Sequence, residues 1–245
     1  NFARQFACEV EGDSWASFCR LQERNAAPFA AFLQYPFGEV LCCSPERFLQ
    51  LRGSEIVTQP IKGTRQRLSD PMRDREKREA LRNDPKERAE NLMIVDLLRN
   101  DLGRVSAVGS VRVEGLFSVE SFATVHHLVS TVRGTLPPGR HAIDLLRAAF
   151  PGGSITGAPK RRAMEIIREL EPFHRGPFCG AIGYIGFDGN MDTNIVIRTL
   201  VHQGGQARLW AGGGIVADSD QQAEFLETWH KAAPLLEVLG YREPM

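Results

Sequence analysis

The sequence predicts an α+β fold. Short strand-like runs come in hairpin-like pairs, and the helical stretches stand apart from them as separate capped or amphipathic segments. A doubly wound parallel sheet would instead alternate strand and helix along the whole chain. The size agrees: 245 residues, 42% hydrophobic and 24% charged, are enough for one large domain or two small ones with a full core.

The elements follow in order. "NFARQFACEV" alternates like a strand already under way at Asn1, which predicts that the chain is the C-terminal part of a longer protein. "EVLCCSPERFLQL" reads as a strand, a Ser44-Pro45 corner and a second strand; "SEIVTQP" is a third, ended by Pro60. "TQPIKGTRQR", residues 58–67, then reads as a basic loop in which Lys62 lies between a proline and a glycine. Judged by that loop alone, Lys62 is an ordinary solvated lysine. Residues 71–82 are charged and favour helix. Asp84-Pro85 opens the next helix, with Asp84 as N-cap, Pro85 at the first helical position and Glu87 as the capping-box acid. Leu92, Val95 and Leu98 mark its buried stripe and Gly103 its end.

Strands are predicted over 107–118 and 122–133, and "HAIDLLRAAF" as a short helix. "FPGGSITGAPKRRAMEIIREL" is a glycine-rich loop feeding a helix. "FCGAIGYIGFDGNMDTNIVIRTLVH" is a hairpin turning at Asp188-Gly189. "ARLWAGGGIVADS" is a strand with a glycine loop, and "DQQAEFLETWHKAAPLLEVLG" a final amphipathic helix. No linker, low-complexity tract or clear repeat interrupts the series.

Composition removes several function classes. Lys+Arg and Asp+Glu balance at 30 each, so no basic arm points to nucleic acid. No apolar run approaches a membrane span, and no signal-peptide pattern opens the chain. Five cysteines without a CxxC argue against a disulfide framework or a zinc site and fit a reducing cytoplasm.

Several residues could carry chemistry. Glu87 and Glu90 share one helix face at i,i+3, and Glu224 and Glu227 repeat the spacing on the last helix. Two such pairs facing each other would suit Mg2+, a hard cation that prefers oxygen, but the same spacing is common on solvated faces. "GGSITGAPK" is not a phosphate loop, because Lys160 is not followed by Ser or Thr; another anion could still meet the N–H groups at that helix start. The glycines of "AGGGIVADS" permit close backbone approach to a ligand, or simply a tight turn. Tyr184 and Arg198, read as the two arms of one hairpin, could grip a carboxylate or could lie in an exposed ladder. Of the adjacent histidines in "VHHLVS", one must face inward, and a satisfied core histidine is the default for His127. Glu46, after Ser44-Pro45, is a surface corner or a general acid. No Ser-His-Asp or Cys-His arrangement and no GxGxxG stands out.

Together, "SPERF", "PIKGT", "AENLMIVDLLRNDLGRV", "VHHLVSTV", "FPGGSITGAPK", "CGAIGYIGF", "NIVIRTL", "AGGGIVADSD" and "AEFLETWHK" resemble the chorismate-utilising enzymes, over essentially all 245 residues. That family includes anthranilate, aminodeoxychorismate, isochorismate and salicylate synthases. Within it, "PIKGT" resembles the component I of aminodeoxychorismate synthases, whereas anthranilate synthases carry alanine at the position of Lys62. The resemblance implies a four-layer α/β/β/α sandwich with two orthogonally packed antiparallel sheets, the chain 1–245 being the chorismate-binding catalytic domain without the family's N-terminal region. It implies that Lys62 attacks C2 of chorismate, that Glu46 as general acid assists departure of the C4 hydroxyl, and that ammonia adds at C4 and expels the lysine. An amine must shed its proton before it attacks, which burial or a neighbouring positive charge favours.

Carried over residue by residue, Glu90 and Glu227 would hold Mg2+, with Glu87 and Glu224 as nearby ligands or outer partners. Tyr184, Arg198 and the backbone near Gly213 and Gly214 would hold the enolpyruvyl carboxylate. His127, Thr156 and Lys231 match further substrate-binding positions. The implied partner is a glutamine amidotransferase subunit that supplies ammonia. Anthranilate synthesis, or a non-catalytic chain that only binds the amidotransferase, are the alternatives.

Overall fold

The computed structural model describes residues 1–25, 27–123 and 125–241. In chain order the elements are β1 (Phe2–Glu9), α1 (Ser14–Arg24), β2 (Phe29–Tyr35), β3 (Gly38–Ser44), β4 (Arg47–Arg52), β5 (Glu55–Gln59) and β6 (Ile61–Gln66). Then come α2 (Pro71–Asn83), α3 (Pro85–Gly103), β7 (Arg112–Ser121), β8 (Val125–Thr135) and α4 (Ala142–Ala149). The last are α5 (Lys160–Leu170), β9 (Gly183–Ile185), β10 (Met191–Asn194), β11 (Thr199–Gln203), β12 (Gln206–Gly213) and α6 (Gln221–Val238). Two antiparallel sheets with helices make an α+β protein, as the strand pairing in the sequence predicts. Elements α1 and β2 have no counterpart in the sequence reading. No described helix is long and apolar enough to cross a membrane.

The chain divides into two compact units. The first comprises residues 1–46, 161–182 and 194–245. Its five-stranded sheet runs β1-β12-β11-β3-β2. Leu41 and Cys43 of β3, and Leu209 and Ala211 of β12, face one side at strand period and meet Phe18 and Leu21 of α1 and Ala232, Leu235 and Leu236 of α6. Asp13 caps α1 by accepting from the backbone N–H groups of Trp15 and Ala16. Strand β1 is tied down by Glu171, whose carboxylate accepts from Ala3 N at 2.9 Å and from Arg175 Nη2 and Nε at 2.6 and 2.8 Å. That carboxylate side chain is only 2% exposed, so its charge depends on these partners.

The second unit comprises residues 47–160 and 183–193. Its seven-stranded sheet has the order β6-β8-β5-β4-β10-β9, with β7 also pairing β8. A strand has two hydrogen-bonding edges. Strand β7 takes one edge of β8, so β5 and β6 share the other, end to end. Pro60 lies at their junction, where it lacks an N–H to donate but accepts from Ser130 N at 3.2 Å. Thr58↔Val132 and Ile61↔Val129 keep one register across the proline. The segment around Lys62 is therefore strand β6, not the loop that the flanking Pro and Gly predict.

Helix α3 is capped by Asp84, which accepts from Lys86 N and Glu87 N. Glu87 itself accepts from Arg65 at 3.2 Å, so it serves β6 rather than the capping box. The buried face of α3 holds Asn91, Ile94, Val95, Leu98, Asp101 and Leu102. Leu92 is 45% exposed and lies off the stripe assigned to it. The polar members of that face are satisfied: Asn91 Nδ2 donates to Leu128 O at 3.4 Å and its Oδ1 accepts from Ser130 at 2.6 Å.

The predicted strand over 107–118 begins only at Arg112. Residues 107–110 form a turn closed by Ser110 N to Ala107 O, with Gly109 at φ 76°. The strand predicted from 122 starts at Val125, and Thr124 lies outside the described residues. The hairpin at Asp188-Gly189 is real, but its arms are only β9 and β10. After Asn194 the chain leaves for β11 of the other sheet, so Tyr184 and Arg198 are not arms of one hairpin.

Helix α2 is fastened to β8 by charge. Asp74 accepts from Leu68 N at 2.9 Å, from His126 Nε2 at 2.9 Å and from Arg67. His126 Nδ1 meets Ser121 Oγ at 2.8 Å. Since Nε2 donates to the carboxylate, neutral His126 accepts from Ser121 at Nδ1. The backbone bond from Leu68, then His126 and Arg67, hold the Asp74 carboxyl below its ordinary value of 3.8.

Two outcomes follow from these contacts. Glu171→Ala removes the carboxylate partner of the buried Arg175 guanidinium and the acceptor of the Ala3 N–H, and should cost about 3–5 kcal/mol in urea unfolding. Because Asp74 titrates lower folded than unfolded, its contribution is present above pH 3.8 and lost as pH falls through the folded value. Asp74→Asn should therefore flatten the acid limb of a stability–pH curve below about pH 4, and an unchanged acid limb would dismiss the role.

Candidate active site

In the second unit the site begins with a defect in a strand. Ile61 pairs Val129 and Thr64 pairs His127, so one extra residue is accommodated between them and Lys62 and Gly63 together oppose Leu128. Gly63 takes φ 79°, where L side chains are strained. A Cβ at that position would lie 2.8 Å from Leu81 Cδ1 and 3.0 Å from Glu87 Oε2. The bulge thus presses bare backbone onto α2 and α3 and re-aims the lysine. Lys62 is half-buried, and its Nζ donates to the Ser154 carbonyl at 3.3 Å.

Ser154 belongs to the glycine-rich segment between α4 and α5, where Gly153–Ile155 form one 3-10 turn. Thr156 is buried there, and its Oγ1 donates to Gly152 O at 2.9 Å. The backbone of this segment therefore serves Lys62, while the sequence pointed only to the N–H groups of the following helix.

Both histidines of "VHHLVS" are buried, not one. Alternation sends them to opposite faces of β8: His126 to Asp74, and His127 to Thr64 Oγ1, which its Nδ1 meets at 2.9 Å. The Phe122 ring lies 5.4 Å from that of His127. Tyr184 sits on edge strand β9, 54% exposed, with its hydroxyl accepting from Arg52 at 3.4 Å. Glu87 and Glu90 stand on α3, and Arg65 neutralises the first of them.

The first unit holds the other candidates. Glu46 is 5% exposed: it is the buried acid of the two readings, not the surface corner. Its N–H donates to Ser44 Oγ and its carbonyl accepts from Ile195 N at 3.0 Å. Arg198 has φ 51°, a conformation rare for a non-glycine residue. Burial holds its guanidinium below the ordinary value, against the Glu227 carboxylate, which raises it. Its Nη1 reaches the Lys231 carbonyl at 3.5 Å.

Glu224 and Glu227 project from one face of α6 over Gly213. A Cβ on Gly213 would sit 3.2 Å from Glu224 Oε2 and 3.6 Å from Glu227 Oε1. The Lys231 ammonium pairs with Glu227 one turn on and donates to Gly212 O at 2.8 Å. Ser219 donates to Glu224 at 2.7 Å. Two of the three glycines have separate reasons. A Cβ on Gly212 would strike the backbone of β1, Gly213 makes room for the two carboxylates, and Gly214 follows β12 half-buried.

Among the described residues, no three His, Cys, Asp or Glu side chains gather as a metal-holding group. The four glutamates stand as two i,i+3 pairs, and one member of each pair is matched to a cation. Their donor chemistry nonetheless fits Mg2+: carboxylate oxygens are hard ligands, and a cation that keeps several waters needs few protein oxygens. The cradle that a Gly213 side chain would fill lies beside two of them.

Comparisons with known proteins identify the family. The sequence profile of the chorismate binding enzymes matches residues 1–237. An aminodeoxychorismate synthase component 1 of Klebsiella aerogenes is 58% identical over 98% of this chain and 53% of its own length. That of Salmonella typhimurium is 57% identical with the same coverage. The crystal structure of anthranilate synthase component I from Streptococcus pneumoniae superposes with a TM-score of 0.87 at 38% identity, over 96% of this chain and 52% of that one. The chain spans about half the length of the curated relatives it matches.

The bulge yields one prediction. Gly63→Ala forces strained backbone and an overlap with Leu81, so it should cost about 1–3 kcal/mol in chemical denaturation. A variant as stable as the parent would mean that the bulge is not constrained.

Proposed function

Because the chain belongs to the chorismate binding enzymes, we propose that it catalyses amination of chorismate at C4 to give 4-amino-4-deoxychorismate. The observation that carries this reading is Lys62: a half-buried lysine held at a glycine bulge by a backbone carbonyl, in a chain 57–58% identical to aminodeoxychorismate synthase components. A lysine carried on a strand bulge, with its amine directed at a peptide carbonyl, supports a role for that amine over simple solvation.

In this reading the Lys62 amine attacks C2 and gives up a proton as the C–N bond forms. The ring double bonds shift, and the C4 hydroxyl leaves as water on a proton from Glu46. Hydroxide is a poor leaving group, which is why a buried, protonatable carboxyl is needed there. Ammonia then adds at C4 and returns a proton to the Glu46 carboxylate, the double bonds shift back, and the C2–N bond breaks as the nitrogen regains a proton from solvent, returning the Lys62 amine. Arg198 and Tyr184, with backbone at Gly213 and Gly214, hold the enolpyruvyl carboxylate; the planar guanidinium offers it two parallel donors. His127, with its ring set by Thr64, lies beneath the substrate ring, and Thr156 and Lys231 complete the binding set. Glu90 and Glu227, with Glu87 and Glu224 beside them, would hold Mg2+, which supplies positive charge to a ring carboxylate.

Ammonia comes from a partner subunit that hydrolyses glutamine. Four of the five cysteines support that division. Burial pushes the Cys43 and Cys179 thiols up to about 12 and raises Cys42 and Cys8, the opposite of what a glutamine-attacking thiolate needs. The reaction fits a cytoplasmic biosynthetic enzyme with neither nucleic acid nor membrane as partner.

Product identification tests the reading. The intact protein, given chorismate, Mg2+ and ammonium, should form aminodeoxychorismate by mass spectrometry, and anthranilate instead would move it to the other branch of the family. Lys62→Ala should lower the rate on the order of 10³-fold or more, and Glu46→Gln by about 10²–10⁴-fold. Full activity in chelator would dismiss the glutamates as metal ligands.

A further inference from the structure

Lys160 ends the "GAPK" motif, and its ammonium is fully occupied inside the second unit. Nζ donates to Asp101 Oδ2 at 2.6 Å, to Pro151 O at 2.8 Å and to Ala149 O at 3.0 Å. An ammonium has three protons, and these are three acceptors. Asp101 lies on the last turns of α3 and is 1% exposed. Ala149 is the last residue of α4, and Lys160 is the first of α5. One nitrogen therefore gathers both ends of the segment 150–159 and fixes them to α3.

The interior of that segment is equally constrained. Gly153 rests on α3 so closely that a Cβ would sit 2.9 Å from Leu97 Cδ2. Thr156 Oγ1 donates to Gly152 O and lies 3.4 Å from Gly153 O. What the closed segment offers outward is the Ser154 carbonyl, which accepts from Lys62 Nζ at 3.3 Å. At that length the bond is near the limit at which a hydrogen bond survives, so a shift of a few tenths of an ångström in the segment releases the amine.

We propose that Lys160 is a positioning residue for Lys62: its three-point grip on Asp101, Ala149 and Pro151 sets the Ser154 carbonyl that orients the Lys62 amine. The carbonyl takes one N–H, which fixes where the amine's lone pair points once its proton is gone. The pairing with a buried carboxylate explains why a lysine ends this loop without a phosphate to bind. Burial pushes Asp101 above the usual carboxylate range, and Lys160 opposes that shift. The inference of a catalytic consequence rests on the reading of Lys62 as the nucleophile.

The test separates the two. In the intact protein without substrate, the rate at which an amine-acylating reagent labels Lys62 is read by peptide mass spectrometry from pH 6 to 11. The parent is compared with Lys160→Met/Asp101→Asn, which removes both buried charges at once. Gly153→Ala is compared as well, because it shifts the segment against Leu97 and leaves the ion pair intact. The expected result is a displaced labelling profile for Lys62 in each folded variant, with neighbouring lysines unchanged. Aminating kcat should fall at least tenfold while KM moves less than threefold. A Lys62 profile that coincides with the parent's in the double variant, or in Gly153→Ala should the double variant not fold, overturns the positioning role. A displaced profile with kcat unchanged would leave the grip in place and remove Lys62 from the chemistry, a failure of the functional reading alone.

Discussion

Much of the second unit depends on the edge that β5 and β6 share along β8. With β7 on one side of β8, a chain that must pair with the other side has a single track to follow. Pro60 interrupts hydrogen bonding from that track without shifting its register, because its carbonyl still accepts from Ser130. The register changes two residues later, at the Lys62–Gly63 bulge, where the ladder tolerates an extra residue only because Gly63 can adopt positive φ. The Lys62 side chain is thus placed by backbone pairing, over a core in which Leu128 and Leu81 are fully buried.

Buried charge is the second constraint. Asp101 and Glu171 each tie together segments distant in sequence, and each has a cationic partner: Lys160 and Arg175 respectively. Such pairs contribute less to net stability than to uniqueness of arrangement, since removing either partner strands the other in a poorly solvated place. A fold that closes its loops in this way holds backbone carbonyls at fixed positions. Ser154 O is one such carbonyl, held under Lys62 by a segment whose ends meet at one ammonium.

The sequence was legible where local rules act alone. Asp84-Pro85 at the start of α3, Asp188-Gly189 between β9 and β10, and Ser44-Pro45 between β3 and β4 all sit where their turn and cap chemistry predicts. It was not legible where long-range pairing overrides them. Pro and Gly around Lys62 are loop signals, yet the vacant edge of β8 draws them into a strand. The face of α3 was misjudged at Leu92 because two of its buried residues, Asn91 and Asp101, are polar and made acceptable only by Ser130, Leu128 and Lys160. Apolar periodicity cannot anticipate those partners. Of the candidate site, the motifs supply candidate residues, but the bulge, the Ser154 carbonyl and the Lys160 grip are not readable from them.

The glutamate pairs show how a site can tolerate its own charge. Two carboxylates at i,i+3 on one helix repel, by an amount that grows as solvent is excluded. In each unit a neighbouring cation meets a member of the pair: Lys231 on Glu227, one helical turn away, and Arg65 of β6 on Glu87. Glu224 also accepts from the Ser219 hydroxyl at 2.7 Å. Gly213 completes the logic: with no side chain beneath the carboxylates, they can converge without displacing β12.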